Sequence, residues 1–201
     1  MKEWIISDTH FQHENIITYC NRPFPNIAAM DSALIRRWEN RVKPEDIVYH
    51  LGDVGMIKRS ESNYLETLIK SLPGRKILIR GNHDKSPGVM REIGFDVVCE
   101  SMVVAVPNMN NTFVILNHRP LKMLPRWSGD EHYTGGPEFV IHGHIHNSTS
   151  ETRREFEKKG ELTDIPWFNI NVSVEMTNYE PIQLEHVVKS YISKLKKEGR
   201  W

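Results

Sequence analysis

Five short islands of Asp, Asn and His follow one another along the chain: Asp8-Thr9-His10, Gly52-Asp53, Gly81-Asn82-His83-Asp84, His118 and Gly143-His144-Ile145-His146. Together they offer two neighbouring divalent ions a mixed set of oxygen and imidazole ligands, the types that suit Mn²⁺, Fe²⁺ or Zn²⁺. A lone Asp-x-His would be no more than two polar residues at a strand end. Five islands, four of them directly after an apolar run, form a pattern. Two ions about 3.5–4 Å apart lower the pKa of bound water and neutralise phosphate charge, so that a bridging hydroxide can attack in line. Asn82 fits this chemistry, because an amide carbonyl serves a hard or borderline ion better than a lone structural Zn²⁺.

The elements that must position these islands are legible from apolar periodicity. Trp4-Ile5-Ile6 reads as a buried strand that delivers Asp8 and His10. His13 to Cys20 is expected to be a short helix, broken by Pro23 and Pro25. Met30, Leu34, Ile35 and Trp38 recur at helical spacing within 27–41. Ile47-Val48-Tyr49 is the next strand. A helix over 60–71 should turn Tyr64, Leu65, Leu68 and Ile69 inward. Lys76 to Ile79 is a third strand. Strand and helix thus alternate over the first eighty-odd residues, the mark of a parallel α/β layer with its site at the carboxyl ends of the strands.

After Asp96 the chain turns β-rich, with strands expected at 97–99, 102–106, 113–116 and 139–141. A terminal hairpin is expected from 168–174 and 182–184, then a helix over 186–195 and a frayed end over 194–201. Two irregular stretches, 119–137 and 147–166, directly follow the islands at His118 and His146. Loops of that length are more often functional lids or disordered insertions than filler.

Composition bounds the rest. The chain has 201 residues, 39% hydrophobic and 26% charged, enough for one domain with a sizeable core. Lys+Arg and Asp+Glu are both 26, so no strongly basic nucleic-acid surface is indicated. No run approaches the roughly 20 apolar residues of a membrane span, and the N-terminus lacks a secretory h-region, so a cytoplasmic protein is expected. Cys20 and Cys99 do not form a Cys-x-x-Cys pair and read as free thiols.

The islands resemble those of the calcineurin-like metallophosphoesterases. The run from Ser7 through Asp8, His10, Phe11, His13 and Asn15 to Ile17 resembles the start of the small bacterial and phage members. The resemblance implies an α/β fold, a four-layer α/β/β/α sandwich with two mixed β-sheets, in a single domain over 1–201. It implies two divalent ions, Mn²⁺ first, with Fe²⁺, Zn²⁺ or Ni²⁺ as alternatives. Asp8, His10 and His146 would bind the first ion, Asn82, His118 and His144 the second, and Asp53 would bridge them. His144 and His146 would share a face on an ordinary strand, so splitting them requires a bent loop, with Gly143 giving it freedom. Gly52 and Gly81 would allow close backbone approach. His83 would not bind metal but would face the phosphate and the leaving group as a proton donor. Relatives often carry an acidic residue after the Gly-Asp island. Val54-Gly55-Met56 stand there in this chain, which leaves Asp84 or Glu100 as substitutes.

The activity so implied is hydrolysis of a phosphomonoester or phosphodiester. The alternatives are a single-stranded nuclease and a non-catalytic protein-binding scaffold of the same fold. The expected partner is a small phosphorylated substrate, nucleotide-like, with no membrane and no long duplex DNA. Arg22, Arg119 and Arg126 lie on loops near the site, and Arg grips phosphate bidentately. Trp127 could stack on a base. Other polar groups carry blander readings. His50 and His142 read as buried, hydrogen-bonded groups. His13 and Asn15 touch the site or cap a helix. His132 and His186 read as exposed, and Trp38 and Trp167 as core.

Overall fold

The short apolar runs become the strands of two sheets, packed face to face with helices against them. The computed structural model describes residues 1–56, 62–124, 136–147 and 165–201. In the first sheet, β1 (Glu3–Ile6), β2 (Ile47–His50), β3 (Arg75–Ile79) and β4 (Val97–Cys99) lie parallel in the order β4-β3-β2-β1. The second sheet runs β5 (Ser101–Ala105), β6 (Phe113–Asn117), β7 (Pro137–His142) and β8 (Asn169–Asn171). Here β5 is antiparallel to β6, whereas β6, β7 and β8 are parallel.

The connections explain the helices. α1 (Asn15–Tyr19) and α2 (Ile27–Arg41) join β1 to β2, and α3 (Ser62–Ser71) joins β2 to β3. Asn26 caps α2 by accepting a hydrogen bond from the Ala29 N–H at 2.9 Å. α4 (Pro87–Glu92), absent from the sequence reading, begins on a proline at its first turn, where the missing N–H costs nothing. α5 (Leu184–Lys197) closes the chain. Met30, Leu34 and Trp38 of α2 and Leu65, Leu68 and Ile69 of α3 pack on Trp4, Ile6, Val48 and Leu78, one face of the first sheet. The opposite face, Ile5, Tyr49, Ile77 and Ile79, packs on Val114, Leu116, Phe139, Ile141 and Ile170 of the second sheet, with Leu184, Val187 and Val188 of α5.

Four sequence expectations are corrected. The last two strands are not a hairpin. β8 extends the second sheet beside β7, while β9 (Ile182–Gln183) pairs antiparallel with β1 in the first. Nearness in sequence favours a hairpin only when both strands can pair locally. Here Ile170 and Val172 complete the inner face of one sheet, and the chain must cross to the other. Tyr64 is 42% exposed at the edge of α3, and Trp167 is also 42% exposed, so neither is core. The C-terminus is not frayed from 194. The helix runs to Lys197, and the Trp201 ring stacks on Phe139 at 5.2 Å. Both cysteines are free, as expected. Among the described residues no helix is long and apolar enough to cross a membrane.

Candidate metal centre

Parallel strands end on the same side, and both sheets present their carboxyl ends to one place. The residues after β1, β2 and β3 meet those after β6 and β7. Backbone bonds tie the turns together: Asp8 N–H to Gly52 O at 3.0 Å, His10 N–H to Asp53 O at 3.1 Å and Gly143 N–H to His118 O at 3.0 Å. The two sheets are stitched at this point, because His118 Nδ1 lies 2.7 Å from Leu51 O.

The turns are strained. Asp8, His10, Asp53, His144 and His146 have φ of 58°, 50°, 55°, 69° and 47°. This left-handed region costs an L-residue roughly 1–2 kcal/mol, so it persists only where the surroundings impose it. The turns are also crowded. A Cβ on Gly81 would stand 2.5 Å from the Asp53 backbone nitrogen, against its carboxylate. One on Gly143 would stand 2.8 Å from Ser7 Cβ and overlap Asp8 Oδ2. Gly143 was expected to lend the loop freedom. Its φ is not positive, and what the position requires is space.

The islands form two side-chain groups, and Cys20, His146 and Glu175 form a third beside them. Asp8, His10 and His146 bring one donor atom each within 4.8 Å of one another, and so do Asp53, His118 and His144. His144 and His146 thus fall in different groups, as the bent loop was expected to arrange. Asn82 Oδ1 joins the second group, 3.0 Å from His118 Nε2. Asp53 Oδ2 lies 3.7 Å from His10 Nε2 and 3.5 Å from His118 Nε2, facing both groups at once. Asn117, next to His118, donates to Arg119 O at 2.7 Å.

The donor atoms suit a cation. His10 Nε2 is buried and has no hydrogen-bond partner, which is costly unless something else binds its lone pair. His10 Nδ1 meets His13 Nδ1 at 3.2 Å. Burial, with the nearby His146 charge, holds the His10 pKa well below normal, so the ring is neutral. The His118 Nδ1 proton is taken by a carbonyl, which directs Nε2 at Asp53 and Asn82. For His118, burial opposes charge, but the hydrogen bond it donates to Asp53 and the field of Asp8 push its pKa up to about 9. For Asp53, burial alone would raise the pKa; His118 and His10 outweigh it and hold the carboxyl far below the usual range. Burial raises the Asp8 pKa despite His146. Burial opposes charge on His146, but its hydrogen bonds with Cys20 and Glu175 and the field of Asp8 hold its pKa well above normal.

A carboxylate that sequence reasoning missed completes the first group. Glu175 follows β8 and lies far from any island. Its side chain is 2% exposed, and Oε1 lies 3.1 Å from His146 Nδ1. Burial opposes its charge, but Arg22 and His146 pull its pKa down to about 2. The one local signal was an acidic residue directly after the alternating run Val172-Ser173-Val174. Arg22, expected to grip substrate, is buried instead. Its guanidinium donates to Asp8 O at 2.7 Å, Thr9 O at 2.9 Å and Glu175 Oε1 at 2.9 Å.

The expected substitutes for the carboxylate partner of His83 are engaged elsewhere. Asp84 accepts from the N–H groups of Asp53, Val54 and Gly81 at 2.9, 2.9 and 2.7 Å, clamping two turns together. Glu100 pairs with Arg80 at 2.7 Å. His83 itself is exposed, and its N–H donates to Asp53 Oδ1 at 2.9 Å. His50 is buried as expected. It accepts from Gly52 N–H at Nδ1, its Nε2 meets Thr9 Oγ1 at 2.9 Å, and burial lowers its pKa to about 3. His142 is buried likewise, with Nδ1 2.8 Å from Gly143 O. His13 leans on His10 and does not cap α1, whose cap position is Glu14. His186 is exposed. Arg119 lines an open groove of about 330 Å³ with Arg80, Asn82, Asn117 and His118, and its Nη2 lies 3.4 Å from Asn82 Oδ1. Arg126, Trp127 and His132 lie outside the described residues, as does most of 119–137 and 147–166.

Known proteins share this arrangement of sequence. The chain is 36% identical to an uncharacterized protein of Methanocaldococcus jannaschii over 194 residues, 94% of this chain and 90% of that protein. It is 28% identical to the Gene 66 protein of Mycobacterium phage L5 over 161 residues, 72% of this chain and 77% of that one. The crystal structure of a protein of unknown function from Aquifex aeolicus superposes with a TM-score of 0.66 at 28% identity, covering 94% of this chain and 98% of that one. Residues 1–163 match the calcineurin-like phosphoesterase superfamily domain, and that match spans all five islands. The chain belongs to the calcineurin-like phosphoesterase superfamily.

Proposed function

We propose that this protein is a dinuclear metal-dependent phosphoesterase that hydrolyses a small phosphomonoester or phosphodiester. One observation carries the reading. A single oxygen, Asp53 Oδ2, faces His10 Nε2 at 3.7 Å and His118 Nε2 at 3.5 Å, between two buried donor groups. Asp8, His10 and His146 would hold one ion, Asn82, His118 and His144 the other, with Asp53 shared. Two bound divalent ions supply Lewis acidity and an activated water. Mn²⁺ suits the donor set, which mixes carboxylate, amide and imidazole and contains no thiolate.

The remaining work falls to the chain's own residues. Asp84 keeps the Asp53 and Asn82 turns in register through its three backbone bonds. Arg119, exposed beside Asn82, would meet a phosphate oxygen from the groove. His83, exposed at the rim and fixed through its N–H to Asp53, would donate a proton to the leaving oxygen. Asp84 and Glu100 are occupied, so His83 would do so without a dedicated carboxylate partner. The complete donor set favours an enzyme over a scaffold. We further read 1–201 as one domain, since β9 returns to pair with β1. The four-layer sandwich is supported by Ile115 and Val140, buried on the second sheet's other face.

Hydrolysis of bis-p-nitrophenyl phosphate tests the proposal. Activity should be lost in EDTA and restored by Mn²⁺, with two ions bound per chain. Activity indifferent to EDTA, or binding of a single ion, would overturn it.

A further inference from the structure

The buried pair Arg22–Glu175 belongs to no sequence island, yet it touches the first donor group from two directions. Arg22 takes the carbonyls of Asp8 and Thr9. Glu175 takes the ring of His146. The pair could be a simple stitch between the segment after β1 and the segment after β8. Its geometry argues otherwise. Arginine–carboxylate pairs frequently run two-pronged, with one nitrogen on each oxygen. Here Arg22 Nε at 2.9 Å, Arg22 Nη2 at 2.7 Å and His146 Nδ1 at 3.1 Å all converge on Glu175 Oε1. Oε2 is buried and has no partner. The carboxylate is aimed by the arginine at the histidine.

This aim has a chemical consequence. When Nδ1 of His146 donates to Glu175, its lone pair is on Nε2, the atom 4.0 Å from Asp8 Oδ1. A charged acceptor also makes the imidazole a stronger donor toward a metal than a neutral carbonyl does. Arg22 adds a second hold, because it fixes the carbonyl of Asp8, a residue in the left-handed region. In the second group, His118 is oriented by the Leu51 carbonyl.

We propose that Glu175, aimed by Arg22, is a positioning residue for the first ion alone: it sets the tautomer and orientation of His146. The inference rests on the reading that Asp8, His10 and His146 hold an ion. It predicts that disturbing Glu175 changes the affinity of one ion and spares the other.

Mn²⁺ binding to the metal-free full chain tests this, by calorimetry and by the electron spin resonance signal that separates a spin-coupled pair from an isolated ion. Wild type should take up two ions. Glu175→Gln keeps the shape but removes the charge, and one binding step should weaken by about 10–100-fold while the other is unchanged. Its spectrum should become that of an isolated ion at Mn²⁺ concentrations where wild type shows the pair. Glu175→Gln leaves the Arg22 charge buried without its partner and can fail to fold. Glu175→Asp keeps a negative charge beside Arg22 while drawing the acceptor back from His146. It should fold with the thermal midpoint of the metal-free wild type and still show the selective weakening. Two unchanged steps in folded Glu175→Asp would overturn the proposal. So would equal weakening of both steps together with a lower metal-free midpoint, the mark of a plain structural brace. Wild type binding fewer than two ions would overturn the dinuclear reading itself, and this inference with it.

Discussion

Gly81→Ala adds one methyl group at one of the tightest points of the site. The new Cβ would stand 2.5 Å from the Asp53 backbone nitrogen, where ordinary contact begins at 3.4 Å. The two turns must therefore part by about 0.9 Å, the difference between those distances. A backbone nitrogen cannot swing aside as a side-chain tip would. The Asp84 carboxylate spans both turns, with bonds of 2.9, 2.9 and 2.7 Å to Asp53, Val54 and Gly81, and parting them breaks at least one. Loss of a buried bond to a charged acceptor costs about 1.5–3 kcal/mol, and forced overpacking about 1–3 kcal/mol. Taking about 3 kcal/mol in all, the midpoint of the metal-free protein should fall by roughly 6–12 °C for a chain of this size. A shift of that size also exceeds the roughly 0.2 Å tolerance of metal–ligand bonds, and in the proposed centre Asp53 would serve both ions, so both should be lost. Gly88→Ala is the control: the same methyl, in helix α4, meets nothing within 4 Å. It should leave the metals alone and hold or raise the midpoint by up to a few degrees. Thermal melts by circular dichroism and metal analysis of both variants give the answer. A Gly81→Ala protein with the wild-type midpoint and two ions would refute the crowding argument.

Two other outcomes follow from the same geometry, and a third from the sequence. Asp53→Ala should lose both ions and all activity, while His83→Ala should keep both and lower kcat by roughly 10²–10⁴; loss of metal in His83→Ala would mean that this histidine is a ligand. Metal affinity should climb with pH up to about 9, tenfold per unit for each proton displaced, because the His118 proton must leave before its nitrogen can bind a cation. The metal-free fold should show the opposite trend: the raised His118 pKa stabilises it fully below the ordinary histidine pKa of about 6.5, and that share is lost as pH rises through about 9. Flat calorimetric affinities between pH 6 and 8 would contradict the proton's placement. Finally, if Trp127 stacks on a nucleobase, Trp127→Ala should raise KM for 2′,3′-cyclic or mononucleotides while leaving bis-p-nitrophenyl phosphate turnover intact; unchanged nucleotide kinetics would remove the nucleotide preference.

Much of this site can be read without coordinates. Asp8, His10, Asp53, Asn82, His118, His144 and His146 each sit just past an apolar run, and a parallel layer must bring strand ends to one side. Local periodicity also located α2 and the strands, because their buried faces repeat at the period of the element itself. What it could not reveal is long-range. Glu175 lies in sequence 153 residues from Arg22 and 29 from His146, and no local pattern announces that three such segments meet. Arg22 reads from sequence as a loop residue that grips substrate phosphate, because its type and its loop favour that role. Only the packed structure reveals that the carbonyls of Asp8 and Thr9 and the Glu175 carboxylate make a buried place for its charge. The pairing of β8 and β9 with different sheets likewise depends on which apolar faces remain uncovered once the other strands have assembled. The sequence determined which chemistry is available and where along the chain it is delivered. The tertiary structure decided which carboxylates turn to which histidines, because that choice is made by burial and by contacts between residues far apart in the chain.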